Sequence, residues 1–205
     1  PWPKKPVDVT ITLTDTHHRV SSEMKHRVDP QDILIKRFPK SNTPVNVLLE
    51  SGNPADCVDV VIAAEGYAAH EREKFDNDAR RAVDAIFSHE PFASLRDRFN
   101  VYAVALPSAD SGPSVPHDTV WNRTALGSHY DSFYMERYLT TRRIHDLYDH
   151  LAGIPCDQVI LLVNTPIYGG AGIFNQVTIA ASDHPTFKEV LVHEFGHGYA
   201  GLADE

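Results

Sequence analysis

Two continuous apolar runs constrain the fold of this chain more than any other feature. Residues 58–64 read VDVVIAA and residues 158–164 read QVILLVN. Uninterrupted runs of this kind are typical of strands that are covered on both faces of a parallel sheet. Amphipathic periodicity at 70–88 and at 140–152 predicts helices alongside such strands. The chain is therefore predicted to be an α/β protein with a mostly parallel, twisted sheet flanked by helices.

The remaining patterns divide the chain into two predicted parts. Strands at 7–14 and 33–38 predict a short β-rich segment, the tail of an N-terminal module covering residues 1–40. Pro39 and the stretch SNTP that begins at residue 41 mark a linker. The second part, residues 45–205, forms one larger domain, with the following further predicted elements: strands at 45–50, 99–106 and 173–181, a long loop at 107–128 and a final helix at 185–199.

Composition excludes two classes of partner. The chain has 205 residues, of which 42% are hydrophobic and 23% charged, and its formal net charge is −9. No basic stripe stands out, which argues against nucleic acid as the main partner. No apolar run approaches the roughly 18 residues that a membrane span needs. The N-terminus begins Pro1-Trp2-Pro3 without a signal peptide, as expected of a trimmed or mature start. The oligomeric state cannot be read from these patterns.

The two cysteines each precede a predicted strand. Cys57 opens the run CVDVV and Cys156 opens the run CDQVI. If these strands are parallel neighbours, the two thiols could lie side by side and form a disulfide in an oxidising compartment. Such a bridge would close a loop of about 100 residues and contribute roughly 4–5 kcal/mol in the chain-entropy model. Two buried free thiols are the alternative, and the sequence leaves both open.

The last helix carries the pattern with the clearest chemistry, H-E-x-x-H. His193 and His197 are four residues apart, so a helix presents both imidazoles on one face. Two such nitrogens can bind one Zn²⁺, and Glu194 between them can act as general base on a water molecule held by the metal. The pattern has only three fixed positions and also occurs in ordinary helices. Here the apolar spacing before it and the glycines after it support a metal-binding helix.

A third metal ligand is sought downstream of the second histidine. In the pattern H-E-x-x-H-x-x-G-x-x-H the third ligand follows the second histidine by six residues. That position is Ala203 here, and Asp204 follows it. Asp204 is the predicted third ligand and Glu205 is the alternative.

The run VLVHEFGHGYAGLADE resembles the active-site segment of the M64 family, the bacterial IgA-peptidase-type metallopeptidases. Other segments resemble the catalytic domain of the same family: VDVVIAAEGY, EPFASLRDRFNVYAV, TALGSHYDSFY, RYLTT and GGAGIFNQVTIAAS. The resemblance covers roughly residues 45 to 205. It implies a metzincin-like N-terminal subdomain with an active-site helix, and a zinc endopeptidase that is secreted or located at the cell surface or in the periplasm. By motif, His193 and His197 would bind zinc and Glu194 would be the base.

The same resemblance suggests where a substrate would bind. The glycine-rich segment Gly170-Ala171-Gly172 comes immediately before the predicted strand that begins at Ile173 and precedes the metal helix. In metzincin-like peptidases the edge strand above the cleft pairs with the substrate as an added antiparallel strand. We therefore expect a protein or peptide substrate to pair with these four residues.

Two functions from different classes are compatible with the sequence. The first is a zinc endopeptidase in which Glu194 activates water on zinc held by His193, His197 and Asp204. The second is a truncated or non-catalytic peptidase-like domain that binds metal or protein without cleaving, since family chains continue beyond the Asp-Glu pair. The presence of all the named residues favours the first.

Overall fold

The computed structural model describes residues 3–35 and 39–204, and the chain divides into two compact units, Pro1–Pro39 and Lys40–Glu205. The first unit contains an antiparallel hairpin of β1 (Val7–Thr14) and β2 (Val20–Val28). Asp15 shapes its turn by accepting hydrogen bonds from the backbone N–H groups of His17 and Arg19 at 2.8 and 2.9 Å.

The prediction of a strand at 33–38 is wrong for residues 33–35, the part that the structure describes. Residues 33–35 lie in a turn, where Asp32 accepts a hydrogen bond from the Leu34 N–H at 2.8 Å. Residues 36–38 lie outside the described residues. The partner of β1 is β2, a segment with the polar sequence VSSEMKHRV. Both faces of the hairpin are largely exposed. Because neither face of β2 is buried, its sequence lacks the alternation of apolar and polar residues that would have identified it as a strand.

The second unit is built on a six-stranded sheet, which confirms the predicted fold class. The strand order is β3-β5-β4-β6-β8-β7. The four inner strands are parallel, and the two edge strands run antiparallel to their neighbours. The strand bounds are β3 Val45–Leu49, β4 Val58–Glu65, β5 Phe99–Val104, β6 Gln158–Val163, β7 Gly170–Ile173 and β8 Val177–Ala181.

Helices cover both faces of this sheet. Alternate residues of β4 divide between two cores: Val60 and Ile62 face α1 (Arg72–Ile86) and α3 (Phe187–Ala200). Val61 and Ala63 face α2 (Ile144–His150) and the long loop before it. Because β4 is buried on both faces, its sequence is a continuous apolar run, as predicted. In the part of the chain that is described, no helix has the length and apolar content needed to cross a bilayer.

The strand predicted at 173–181 is two strands. β7 and β8 form a hairpin, and Asn175 takes a left-handed conformation with φ 57° in the turn between them. β8 lies inside the sheet beside β6, and β7 is the edge strand. The helix predicted at 140–152 is confined to α2, because Thr140 pairs with His129 in a β-bridge before the helix begins.

Cys57 and Cys156 are free thiols, although β4 and β6 are parallel neighbours as expected. The Cys156 thiol lies 3.7 Å from the Gln158 carbonyl oxygen, and Cys57 Sγ lies close to Gly52. Burial raises the pKa of the Cys156 thiol to about 12. Because the thiolate is the reactive form, Cys156 is a poor nucleophile in the folded chain.

The loop predicted at 107–128 extends to Arg143 and is anchored by a buried carboxyl group. Glu65 is fully buried at the end of β4. Its two oxygens accept hydrogen bonds from the Leu126 N–H at 2.8 Å and the Ser128 N–H at 2.9 Å. One side chain therefore fixes the middle of the loop against the sheet.

We expect Glu65→Ala to destabilise the second unit by about 1–3 kcal/mol, since the buried Leu126 N–H loses its acceptor and the Ser128 N–H keeps only Thr124 Oγ1 at 3.2 Å. Chemical denaturation measures this loss. Glu73→Ala is the control, because Glu73 is exposed on α1, and its effect should stay within about 0.5 kcal/mol. Equal stability of the two variants would show that Glu65 does not anchor the loop.

Candidate metal centre

The helix α3 separates its buried residues from its polar ones. Phe187, Leu191, Phe195 and Gly198 are buried at spacings of four, four and three residues, so one face packs on the sheet. At Gly198 the helix approaches β8 so closely that a Cβ atom would lie 2.3 Å from Thr178 Oγ1. The opposite side carries the two histidines of the H-E-x-x-H pattern.

The structure brings the two predicted histidines together. The ring centroids of His193 and His197 are 4.5 Å apart, and their Nε2 atoms are 3.0 Å apart. His193 keeps 58% of its side chain exposed, whereas His197 keeps 16%. The two nitrogens therefore point at one position above the helix, with an open side at His193.

Asp204 reaches the same position because the chain reverses after α3. Gly201 ends the helix with φ 66°, a left-handed conformation that glycine adopts without strain. The Leu202 N–H then bonds the Gly196 carbonyl oxygen at 3.4 Å. This turn places Asp204 Oδ1 3.3 Å from His193 Nε2 and 3.0 Å from His197 Nε2. Glu205, the alternative ligand, lies outside the described residues.

The turn also orients one imidazole. His197 Nδ1 contacts the Leu202 carbonyl oxygen. Since a carbonyl only accepts, Nδ1 carries the proton and the Nε2 lone pair is free to face Asp204 and His193. This carbonyl is the first cause of the raised pKa of His197, and the charges of Asp204 and Glu194 add to it. A backbone acceptor on the far ring nitrogen is what metal-binding histidines ordinarily have.

Glu194 is partly buried between the two histidines of the pattern. Burial raises the pKa of its carboxyl group, while the neighbouring charges of His193 and His197 act in the opposite direction. The glycines of β7 form the wall beside it, since a Cβ atom at Gly170 would lie 3.1 Å from Glu194 Oε1 and one at Gly172 would lie 3.1 Å from Oε2. A carboxylate in this position is a stronger proton acceptor than one in water.

The register of β7 shows which of its backbone groups face the open edge. The Ala181 N–H donates to the Gly169 carbonyl oxygen at 3.1 Å, and Gly170 is paired with Ala180. Hydrogen-bonded pairs alternate along an antiparallel ladder. Ala171 and Ile173 therefore direct their N–H and C=O groups toward β8. Gly170 and Gly172 direct theirs away from the sheet.

A second segment covers part of that edge. Tyr138 forms a parallel β-bridge with Gly170, so Gly172 is the more accessible of the two glycines. Tyr138 lines the cavity at the histidines together with Phe133 and Thr140. Tyr138 lies in the segment RYLTT but was not predicted to be a site residue, because no strand or helix pattern places this loop residue at the cavity.

The donor set fits a zinc ion. A tetrahedral zinc with bonds of about 2.0–2.2 Å separates its ligand atoms by roughly 3.3 Å. The three donor atoms here are 3.0–3.3 Å apart. Within residues 3–35 and 39–204, His193, His197 and Asp204 are the one group of histidine, cysteine and carboxylate side chains arranged to hold a metal ion.

Comparison with known proteins gives one assignment. A search of curated proteins finds no match. The family model described as IgA Peptidase M64 matches residues 46–205. The match covers more than half of the chain, includes the helix with both histidines, and confirms the family resemblance stated from the motifs. This chain belongs to the IgA peptidase M64 family.

Proposed function

We propose that this chain is a zinc-dependent endopeptidase that hydrolyses peptide bonds of protein substrates. His193, His197 and Asp204 are the proposed zinc ligands. The observation that carries the proposal is the convergence of their donor atoms to 3.0–3.3 Å from one another. Two imidazole nitrogens and one carboxylate oxygen are a common ligand set of catalytic zinc, which keeps a further position open for water or substrate.

Glu194 is the proposed general base. Bound zinc would supply a Lewis acid that polarises the substrate carbonyl and lowers the pKa of water to about 7. Glu194 would accept the proton of the attacking water and later deliver it to the leaving amine. Its raised pKa supports both transfers, because a carboxyl group closer to neutrality accepts and returns a proton more readily.

The edge strand β7 is the proposed substrate-binding element. Support comes from its four residues, Gly170, Ala171, Gly172 and Ile173, which line the cavity at the histidines, and from the two glycines, which lie against the carboxyl group of Glu194. A peptide paired antiparallel to β7 would bond to the outward C=O group of Gly172, whose N–H group already bonds to the Glu194 carboxylate. Because Tyr138 already bridges Gly170, we place the docked peptide from Gly172 toward the C-terminal end of β7.

We also propose that this chain is exported, either secreted or located at the cell surface or in the periplasm, as the family resemblance implies. Fractionation of the source cells tests it, and accumulation in the cytoplasmic fraction would contradict it.

The metal assignment predicts one zinc per chain at neutral pH and a strong dependence on Asp204. We expect Asp204→Ala to weaken zinc binding by more than the roughly 10–100-fold that follows loss of an outer-shell partner. Competition with a chromophoric chelator measures the affinity. Asp149→Ala is the control, since Asp149 is exposed on α2.

Peptide hydrolysis is measured on the same samples, before and after metal removal and zinc addition. Hydrolysis that disappears with the metal and returns with zinc supports the proposal. Zinc binding without any hydrolysis would instead favour a domain that binds and does not cleave. Unchanged affinity in Asp204→Ala would show that the third ligand lies elsewhere.

A further inference from the structure

A turn beside the candidate metal centre holds two aromatic side chains out in solvent. Phe133 is 81% exposed, Tyr134 is fully exposed, and Met135 is 40% exposed. Two rings of this size offer roughly 300 Å² of surface. Single exposed apolar residues are ordinary, but a contiguous apolar patch of a few hundred Å² commonly marks an interaction site. We call residues 133–135 the aromatic tip.

The backbone of the aromatic tip has a conformation that bulky side chains disfavour. Phe133 has φ 57° and Tyr134 has φ 61°, both in the left-handed region. Bulky residues adopt this region only at a cost in free energy, and such strained positions cluster at functional sites. Neither ring is buried, so packing in the core does not offset the cost. The strained backbone therefore points to a role for the exposed rings themselves.

Hydrogen bonds fix the base of the aromatic tip. The Asp131 carboxylate accepts hydrogen bonds from the backbone N–H and from Nδ1 of His117, each at 2.8 Å. The hydroxyl groups of Ser132 and Thr140 bond to each other, and the Met135 N–H donates to the Ser132 carbonyl oxygen at 3.1 Å. The tip is therefore presented in a defined orientation, which reduces the entropy that would be lost when a partner docks on it.

The aromatic tip is continuous with the cavity at the histidines. Phe133 lines this cavity of about 630 Å³ together with Tyr138, and the two rings meet edge-on at 6.4 Å. Tyr134 and Met135, which follow Phe133, lie outside the lining and carry the apolar surface beyond it. A polypeptide that occupies the cavity can therefore continue onto the tip.

The chemistry of the tip favours an apolar occupant. Glu136 and Arg137 follow it with opposite charges, so neither an acidic nor a basic segment has an advantage there. We propose that the aromatic tip is an exosite, a docking surface outside the metal centre, for an apolar stretch of the same polypeptide that occupies the cavity. The substrate class is then an extended or unfolded protein that exposes such a stretch, and not a short peptide. The proposal rests on the proposed peptidase function.

Peptides with and without an apolar extension test the exosite. Digestion of an unfolded protein, mapped by mass spectrometry, first supplies one cleaved bond. A peptide of about eight residues around this bond spans roughly 26 Å when extended. An apolar stretch, or a serine-rich stretch of equal length, is then added on either side. We expect the apolar extension on one side to raise kcat/KM at least about tenfold, mostly by lowering KM, and the serine-rich extension to raise it less than about twofold.

Tyr134→Gly removes the ring together with the left-handed strain. Glycine adopts this conformation freely, which offsets its greater freedom in the unfolded chain, so the variant should unfold within about 2 °C of wild type. The advantage of the apolar extension should fall below about threefold, and Tyr134→Phe, which keeps the ring, should retain it. Trp121→Ala is the matched control, because Trp121 is exposed in the same long loop and lies outside the lining of the cavity.

Binding gives a second readout that does not depend on turnover. In the zinc-loaded Glu194→Gln background, fluorescence anisotropy should show tighter binding of the apolar-extended peptide than of the serine-rich one, and Tyr134→Gly should abolish the difference. Equal effects of the two extensions, an unchanged advantage in Tyr134→Gly, or an equal loss in Trp121→Ala would overturn the inference. If wild type cleaves no bond of the unfolded protein, the proposed function and this inference both fail; cleavage without an advantage of the apolar extension removes the inference alone.

Discussion

Glu194→Gln is expected to reduce peptide hydrolysis by about 10²–10⁴-fold while the chain keeps its zinc. The amide has nearly the shape of the carboxylate, but it cannot accept the proton of the attacking water. The Glu194 side chain contacts the glycines of β7 and is not one of the three proposed zinc ligands. Substitution should therefore leave the donor atoms of His193, His197 and Asp204 in place. Steady-state kinetics and zinc analysis of the same preparation measure the two properties separately.

Glu194→Asp provides the conservative comparison. It keeps the carboxylate and withdraws it by one methylene group, so we expect an intermediate loss of hydrolysis. If the Gln variant loses its zinc as well as its activity, the lost activity is explained by the damaged metal site. Such a result would not support Glu194 as the base. Full activity of the Gln variant would remove Glu194 from the mechanism altogether.

Gly172→Ala should be nearly as damaging, through packing alone. A Cβ atom at this position would lie 2.4 Å from the Glu194 carbonyl oxygen and 2.5 Å from His197 Cβ. These neighbours are backbone and the root of a side chain, so they can yield only if β7 and α3 move apart. We expect a cost of about 1–3 kcal/mol in stability. If Glu194 is the base, a displacement of about 1 Å between the strand and its carboxylate would also reduce kcat/KM by roughly 100-fold.

Gly196→Ala is the matched control within the same helix. Its nearest neighbour would be the Leu202 Cδ1 methyl at 3.3 Å, the far end of a flexible side chain. Replacing a glycine inside a helix by alanine favours the helix by up to about 1 kcal/mol, so this variant should be at least as stable as wild type. Thermal unfolding and peptide hydrolysis of both variants decide the question. Wild-type stability and activity of Gly172→Ala would show that β7 does not lie against α3 as described.

Some elements were predictable because their signals are local or reflect burial on both faces. The run VDVVIAA became β4 at the centre of the sheet, since a strand covered on both sides has no polar alternation. The pairing of His193 with His197 follows from the helical repeat and needs no tertiary information. The predicted involvement of Asp204 was less local. It depended on Gly201, whose left-handed conformation returns the chain to the histidines.

Other features were decided by contacts between distant segments. Asn175, in the left-handed conformation of the turn, is the local signal that separates β7 from β8, but the place of each strand in the sheet depends on pairing with distant segments. The segment at 33–35 has strand-forming residues but forms a turn, and the polar segment of β2 forms the hairpin in its place. The cysteines precede neighbouring strands as expected, yet their sulfur atoms take separate environments and remain unbridged.

The sequence by itself determined the chemistry that one helical turn can hold: two imidazoles on one face with a carboxylate between them. Tertiary structure alone decided what surrounds that chemistry. Burial of Glu194 against the glycines of β7, the Leu202 carbonyl on His197, and Tyr138 at the edge of β7 all join residues that are far apart or related by a turn. The physical reason is range: helical spacing is fixed by backbone geometry within a few residues, whereas burial and edge pairing depend on which distant segments the folded core brings into contact.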